Sequence, residues 1–230
     1  MEISPISISR RDRERLLRRS EILSASKILF AEKGYSEATL TEIASRAEFG
    51  KGTIYNYFPG GKEEILVAVF DQLYESLLKI ISESFEPDES LNFRDAMRRF
   101  LGRSFDFFVS NINLFLILIK EAERTRLNHH SETAARIHVR HDEIIHALSI
   151  PLSTAMKRGD LRKMPPTFLA HMIFLNLKGY HLRQCPQSFV DKAPPDLIET
   201  DQFADELTDF ILFGASGPSL SHLNPGGNQK

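Results

Sequence analysis

The apolar residues of this chain recur at intervals of three and four, and almost nowhere at two. That period gathers them on one side of an α-helix and gives strands nothing to build on, so this 230-residue chain is expected to fold as an all-α protein. About nine helices follow from where the period starts and stops. The first is expected from near Arg11 to Lys33, stopped by Gly34, a residue suited to the left-handed position after a helix. Thr39-Leu40-Thr41-Glu42 has the spacing of a capping box and opens a short helix ending near Arg46. A third, over 51–58, is ended by Pro59-Gly60-Gly61. Longer helices are expected over 62–85, 92–110, 114–123, 131–158, 167–184 and 201–214, with Pro151 kinking or dividing the one that holds it. The Ser/Pro/Gly-rich ends, 1–9 and 216–230, have little to bury and are expected to be disordered.

Several function classes are disfavoured early. The longest strongly apolar run, 114–119, falls well short of the roughly 20 residues that span a bilayer, so no membrane partner is expected. Met1 to Ser9 lack the apolar stretch of a signal peptide. A lone Cys185 excludes an intramolecular disulfide framework and a cysteine-cluster zinc site; it reads as a free thiol, a dimer cross-link or an oxidant sensor. These features imply a reducing, cytoplasmic setting. No nucleophile–base pair, metal cluster or phosphate loop stands out, so neither enzymatic activity nor a cofactor or metal is expected.

The informative stretch is 40–58, two short helices joined by a four-residue turn behind a longer helix, which is the outline of a helix-turn-helix. At 100° per residue, Ile54 and Phe58 fall on one side of the third helix and anchor it. Gly52 and Asn56 then point the other way with Thr53 beside them, and Tyr55 and Tyr57 flank that face. Glycine permits close approach, Asn can pair with adenine N6 and N7, and Thr offers a hydroxyl and a methyl to a base edge. The tyrosine hydroxyls, Lys51 and Lys62 suit phosphates. On spacing alone, a solvated helix with two partly packed aromatics fits equally well.

The residues in register decide between these readings. The run Ile22-Leu23-Ser24-Ala25-Ser26-Lys27-Ile28-Leu29-Phe30-Ala31-Glu32-Lys33-Gly34-Tyr35 resembles the first helix of the tetracycline-repressor (TetR) family of bacterial transcription regulators. Thr41-Glu42-Ile43-Ala44 and Lys51-Gly52-Thr53-Ile54-Tyr55-Asn56-Tyr57-Phe58-Pro59 match that family's second and third helices. The resemblance covers roughly 15–66. It implies a DNA-binding head over 10–61, with Thr41, Lys51, Gly52, Thr53, Tyr55, Asn56, Tyr57 and Lys62 at the DNA, and a helical effector-binding and dimerisation body over 62–215. Two departures stand out. Glu48 and Gly50 occupy places where members usually have Gly and Ser, and Gly60-Gly61 lengthens the turn before Lys62. Glu in a left-handed turn costs about 1–2 kcal/mol relative to Gly, and it adds a negative charge near the DNA.

The implied function is a ligand-responsive transcriptional regulator, a repressor that binds a palindromic double-stranded operator as a homodimer and is released by a small-molecule effector. A protein-binding adaptor with a degenerate DNA-binding head is the alternative, hinted at by Glu48. The stripes Phe168, Met172, Leu175, Leu182 and Phe203, Leu207, Phe210, Ile211 suit a four-helix dimer interface, or burial within the monomer. Phe105, Phe108, Phe115 and Phe174, with His138 and His141 as polar contacts, are candidates for an apolar or aromatic effector, or plain core. His138, His141 and Asp142 also have an i, i+3, i+4 spacing that can hold a metal, though solvated histidines are the commoner outcome. The arginine-rich stretch 10–19 reads as a solvated helix start, a diluted membrane-surface segment, or an arm to neighbouring phosphates; its place before the helix-turn-helix favours the last. The formal net charge of −2 hides an asymmetry: residues 1–62 carry 11 Lys/Arg against 8 Asp/Glu, and the remaining 168 carry 18 against 23.

Overall fold

The computed structural model describes residues 9–86, 92–126, 132–183 and 199–214. The two ends expected to be disordered, except Ser9, lie outside them, as does Cys185. All regular structure among the described residues is helical: α1 (Arg10–Glu37), α2 (Leu40–Arg46), α3 (Lys51–Tyr57), α4 (Gly61–Ser84), α5 (Phe93–Ser110), α6 (Ile112–Arg126), α7 (Glu132–Arg158), α8 (Pro166–Arg183) and α9 (Thr200–Phe213). No single helix among them is long and apolar enough to cross a membrane.

The ends of these helices follow from local chemistry. Ser9 caps α1, its hydroxyl accepting from the Asp12 amide at 3.1 Å. Gly34 interrupts the helix at φ 80°, ψ 164°, as its place after Lys33 predicts, but the chain then resumes helical geometry through Glu37. The capping box of α2 forms as its spacing predicts. The Thr39 amide donates to Glu42 Oε2 at 3.0 Å, and the Glu42 amide donates to Thr39 Oγ1 at 3.2 Å. Asn92 caps α5 through the Asp95 amide at 2.9 Å. Pro151 does not divide α7, which runs unbroken past it. Proline removes one amide from the ladder, and the rest of a 27-residue helix holds around that gap.

The chain forms two compact units, one drawing on Met1–Glu75 and Asn113–Arg140, the other on Ser76–Ile112 and His141–Lys230. In the first, the cores of α1 (Ile22, Leu23, Phe30), α2 (Ile43), α3 (Ile54) and α4 (Ile65, Leu66) are almost completely buried. Each such side chain contributes about 1.5–3 kcal/mol by leaving water. Ion pairs stitch α4 to α7: Asp71 accepts from Arg136 at 2.6 Å and from Arg140 at 3.0 Å, and Arg140 also reaches Glu75 at 2.7 Å.

In the second unit α5 lies along α9. The rings of Phe105 and Phe203 meet at a tilt of 36° with their centroids 4.7 Å apart. Beside them, Arg94 donates to Asp209 at 2.8 Å, and Arg98 donates to Asp205 and to Asp201. The Arg98 guanidinium holds the Asp205 carboxyl below the usual carboxylate range.

Candidate nucleic-acid interface

The turn between α2 and α3 is built on backbone hydrogen bonds. The Glu48 amide donates to the Ser45 carbonyl at 3.2 Å, and the Phe49 amide to the Ala44 carbonyl at 2.9 Å. Glu48 sits at φ 59°, in the left-handed region that its turn position demands. Gly50 caps α3 without a side-chain bond, its carbonyl accepting from the Thr53 amide at 2.9 Å. Ile54 and Phe58 are fully buried and fix the rotation of α3, as the 100° spacing predicts. Arg19 of α1 lies over the Phe58 ring, 4.8 Å from its centroid, and pins the end of α3 from the other side.

With its anchors buried, α3 turns Lys51, Gly52, Tyr55 and Asn56 outward, all exposed, with Thr53 and Tyr57 half-exposed at the edges. Thr41 is exposed on α2. Nothing lies within 4 Å of where a Cβ on Gly52 would sit, so no contact inside the chain requires a glycine there. Further along α1, residues 10–18 are all exposed, Leu16 and Leu17 included, so this arginine-rich stretch is helical and lacks a packed face.

Lys62 is placed differently from the phosphate contact that the resemblance implies. Its ammonium donates to three backbone carbonyls, Tyr35 at 2.8 Å, Ser36 at 3.0 Å and Ala38 at 2.8 Å, and stands 4.6 Å from the centroid of the Tyr35 ring. All three of its donors are thus taken. A helix end presents carbonyls with no downstream amides and a partial negative charge, which is what an ammonium satisfies. The turn preceding it places Gly61 at φ 66°, closed by the Gly61 amide on the Phe58 carbonyl at 2.9 Å. Lys62 therefore joins the start of α4 to the end of α1.

Elsewhere, the expected effector residues divide. Phe105 and Phe108 of α5 and Phe174 of α8 are buried in the second unit, where Phe108 and Phe174 lie 6.3 Å apart. His141 is half-buried there, 5.4 Å from Phe174 and 5.5 Å from His171, a partner that helical spacing alone did not single out. Phe115 is buried in the first unit, and His138 is exposed there. Among the described residues, no group of three or more His, Cys, Asp or Glu is placed to hold a metal ion.

The expected dimer stripes also divide. Phe203 is a core residue, packed on Phe105 of its own chain, the burial within the monomer that the stripe also allowed. Leu207 is buried and Ile211 half-buried. Phe168, Leu175 and Phe210, each at least 56% exposed, and Met172 at 42% remain in water. Between α8 and α9 runs a groove of about 500 Å³ lined by Phe168, Met172, Asn176, Phe210 and Phe213. The side chain of Leu182 lies outside the described residues.

Comparison with known proteins agrees with this geometry. Residues 22–69 match the model of bacterial regulatory proteins of the tetR family. An uncharacterised helix-turn-helix transcriptional regulator of Bacillus subtilis, YhgD, is 34% identical over 90 residues, 39% of this chain and 46% of that protein. The chain spans about half or less of the length of the first curated relatives it matches. Solved structures are similar over far more of the fold. The TetR-family regulator PfmR of Thermus thermophilus matches with a TM-score of 0.64 at 22% identity, covering 84% of this chain and 98% of that one. The regulator FadR of Bacillus subtilis, solved in complex with stearoyl-CoA, matches with a TM-score of 0.68 at 18% identity, covering 85% and 98%. A helix-turn-helix that matches the tetR-family model over residues 22–69 is thus carried on nine described helices whose fold is similar to that of PfmR.

Proposed function

We propose that this protein is a cytoplasmic, ligand-responsive transcriptional regulator that binds a palindromic DNA operator as a homodimer. The observation that carries the reading is the outward face of α3. Lys51, Gly52, Tyr55 and Asn56 are exposed together on a helix whose rotation is fixed by Ile54 and Phe58. Asn56 reads a base edge, Gly52 lets the helix approach, and Lys51, Thr41, Tyr55 and Tyr57 contact phosphates, with Thr53 at the base edges beside Asn56. Residues 10–61 act as the DNA-binding head and 62–215 as the effector and dimer body.

The exposed apolar faces of α8 and α9 support a two-fold interface, since Phe168, Met172, Leu175 and Phe210 are only partly covered by the described residues of one chain. One recognition helix reads only a few base pairs, so a pair is needed for a specific site. A small-molecule effector is supported by the aromatic cluster of α5, α7 and α8, and by the likeness to a regulator solved with stearoyl-CoA. An effector releases DNA only to the extent that it binds the released arrangement more tightly than the bound one.

Selection of DNA from a random pool, followed by fluorescence anisotropy at about 50 and about 200 mM salt, tests the reading. A regulator selects a palindrome and loses affinity steeply as salt rises. Recovery of no preferred sequence, or binding indifferent to salt, would refute it.

A further inference from the structure

Lys178 is the least explained cation of the second unit. It lies on α8, half-buried, and makes no hydrogen bond or ion pair with any described residue. Its ammonium stands 5.7 Å from the centroid of the Phe174 ring, one turn earlier on the same helix face. A further turn back on that face is His171, whose ring stacks on His141 of α7 at 5.5 Å. His141 in turn meets the edge of Phe174 at 5.4 Å. Two nitrogen-bearing side chains, His141 and Lys178, thus meet the Phe174 ring, the exposed His171 stacks on His141, and Phe108 of α5 lies 6.3 Å from Phe174.

The charge balance of this cluster is unusual. The acid beside it, Asp142, lies 3.5 Å from His141 Nδ1, but its side chain is 81% exposed. Burial pushes the Lys178 ammonium below its ordinary range. It also pushes His141 down, an effect that Lys178 and His171 reinforce and Asp142 opposes. A cation drawn out of water with no counter-charge among the described residues is unfavourable, and a bound anion removes that penalty. The adjoining aromatic rings favour an anion that carries an apolar part.

We infer that His141 and Lys178 at the Phe174 ring, with His171 stacked on His141, form the headgroup site for an amphiphilic anionic effector, a carboxylate or a phosphate borne on an apolar chain. The inference rests on the reading of this protein as ligand-responsive and names the chemistry of the ligand. Lys178 supplies the fixed positive charge, and the two imidazoles donate hydrogen bonds to the headgroup oxygens. His171 and Lys178 come from the α8 face at i and i+7, and His141 closes the site from α7.

Isothermal titration of the full chain with octanoate, octyl phosphate and octanol tests this, with Lys178→Met and Lys178→Arg variants whose folding is checked by circular dichroism. At least one anion binds ten-fold or more tightly than octanol. Lys178→Met abolishes that preference while leaving octanol binding within two-fold, and Lys178→Arg retains it. Preference for octyl phosphate identifies a phosphate headgroup, and preference for octanoate a carboxylate. Equal binding of anions and alcohol, no binding of either anion, or a preference that survives Lys178→Met overturns the site. DNA binding is measured on the same preparations. Intact salt-dependent DNA binding without anion preference removes the headgroup site alone, whereas loss of DNA binding in the wild-type chain removes the regulator reading itself.

Discussion

Lys62 shows how a residue's role is fixed by what it touches. The resemblance gives it to a phosphate, and the structure gives its three donors to the carbonyls of Tyr35, Ser36 and Ala38. The two roles separate experimentally. Removing a phosphate contact lowers the salt slope of DNA binding by about one. Lys62→Ala should instead leave that slope unchanged and destabilise the fold by about 1–3 kcal/mol, as read by urea denaturation. Glu42 is a second case. Its carboxylate accepts first from Lys33 and then from the Thr39 amide and hydroxyl, which hold it at about 2. A group depressed on folding stabilises the fold above its unfolded value, and that contribution is lost as pH falls toward the folded one. Glu42→Gln should therefore destabilise the protein at pH 7, with the difference from wild type shrinking between about pH 4.5 and pH 2. Glu48, at φ 59°, predicts the reverse sign. Glu48→Gly should relieve about 1 kcal/mol of backbone strain, measured in the same denaturation assay. The capping box and the left-handed turn were legible in the sequence because both are contacts between near neighbours. The partners of Lys62 lie 24 to 27 positions away, and no local pattern points to them.

At the scale of an element, periodicity identifies a face but not what covers it. Phe203 and Phe210 are seven residues apart on α9, so their directions differ by only about 20°. Yet Phe203 packs on Phe105 and Phe210 is 56% exposed. Reading the stripe from sequence assigned both to one surface, because the period carries no information about which part of a helix its neighbour overlies. The same limit hid the meeting of His141 with His171 across two helices. The contrast predicts two outcomes for one substitution type. Phe203→Ala should destabilise the monomer by about 3–5 kcal/mol through the cavity it leaves. Phe210→Ala should change monomer stability little and shift the monomer–dimer equilibrium toward monomer in sedimentation velocity. Helix bounds themselves were read nearly correctly, since caps, prolines and glycines lie within a turn of the ends they set. The exceptions are α1, which resumes beyond Gly34, and α6, which runs two residues earlier and three later than its apolar core.

For the whole molecule, the small net charge is a cancellation between a basic first 62 residues and an acidic remainder. Arginines of α1 at 10, 11, 13 and 15 are exposed in the same head as the helix-turn-helix, whereas Arg94, Arg98, Arg103, Arg136 and Arg140 are each engaged by carboxylates. Arg10, Arg11, Arg13 and Arg15 thus stand exposed in the head proposed to bind DNA, while these five arginines of the remainder are held by carboxylates. A sequence-independent electrostatic attraction follows from this distribution, but selectivity has to come from a base-reading side chain. Asn56 is that side chain in the reading given above. Anisotropy titrations of wild type and Asn56→Ala against the pool-selected palindrome and a scrambled duplex separate the two contributions. Asn56→Ala should weaken binding to the palindrome by about 1–3 kcal/mol while leaving the scrambled duplex unchanged. Equal weakening on both duplexes, or none on the palindrome, would contradict Asn56 as a reader of bases and the exposed face of α3 as the surface that recognises DNA.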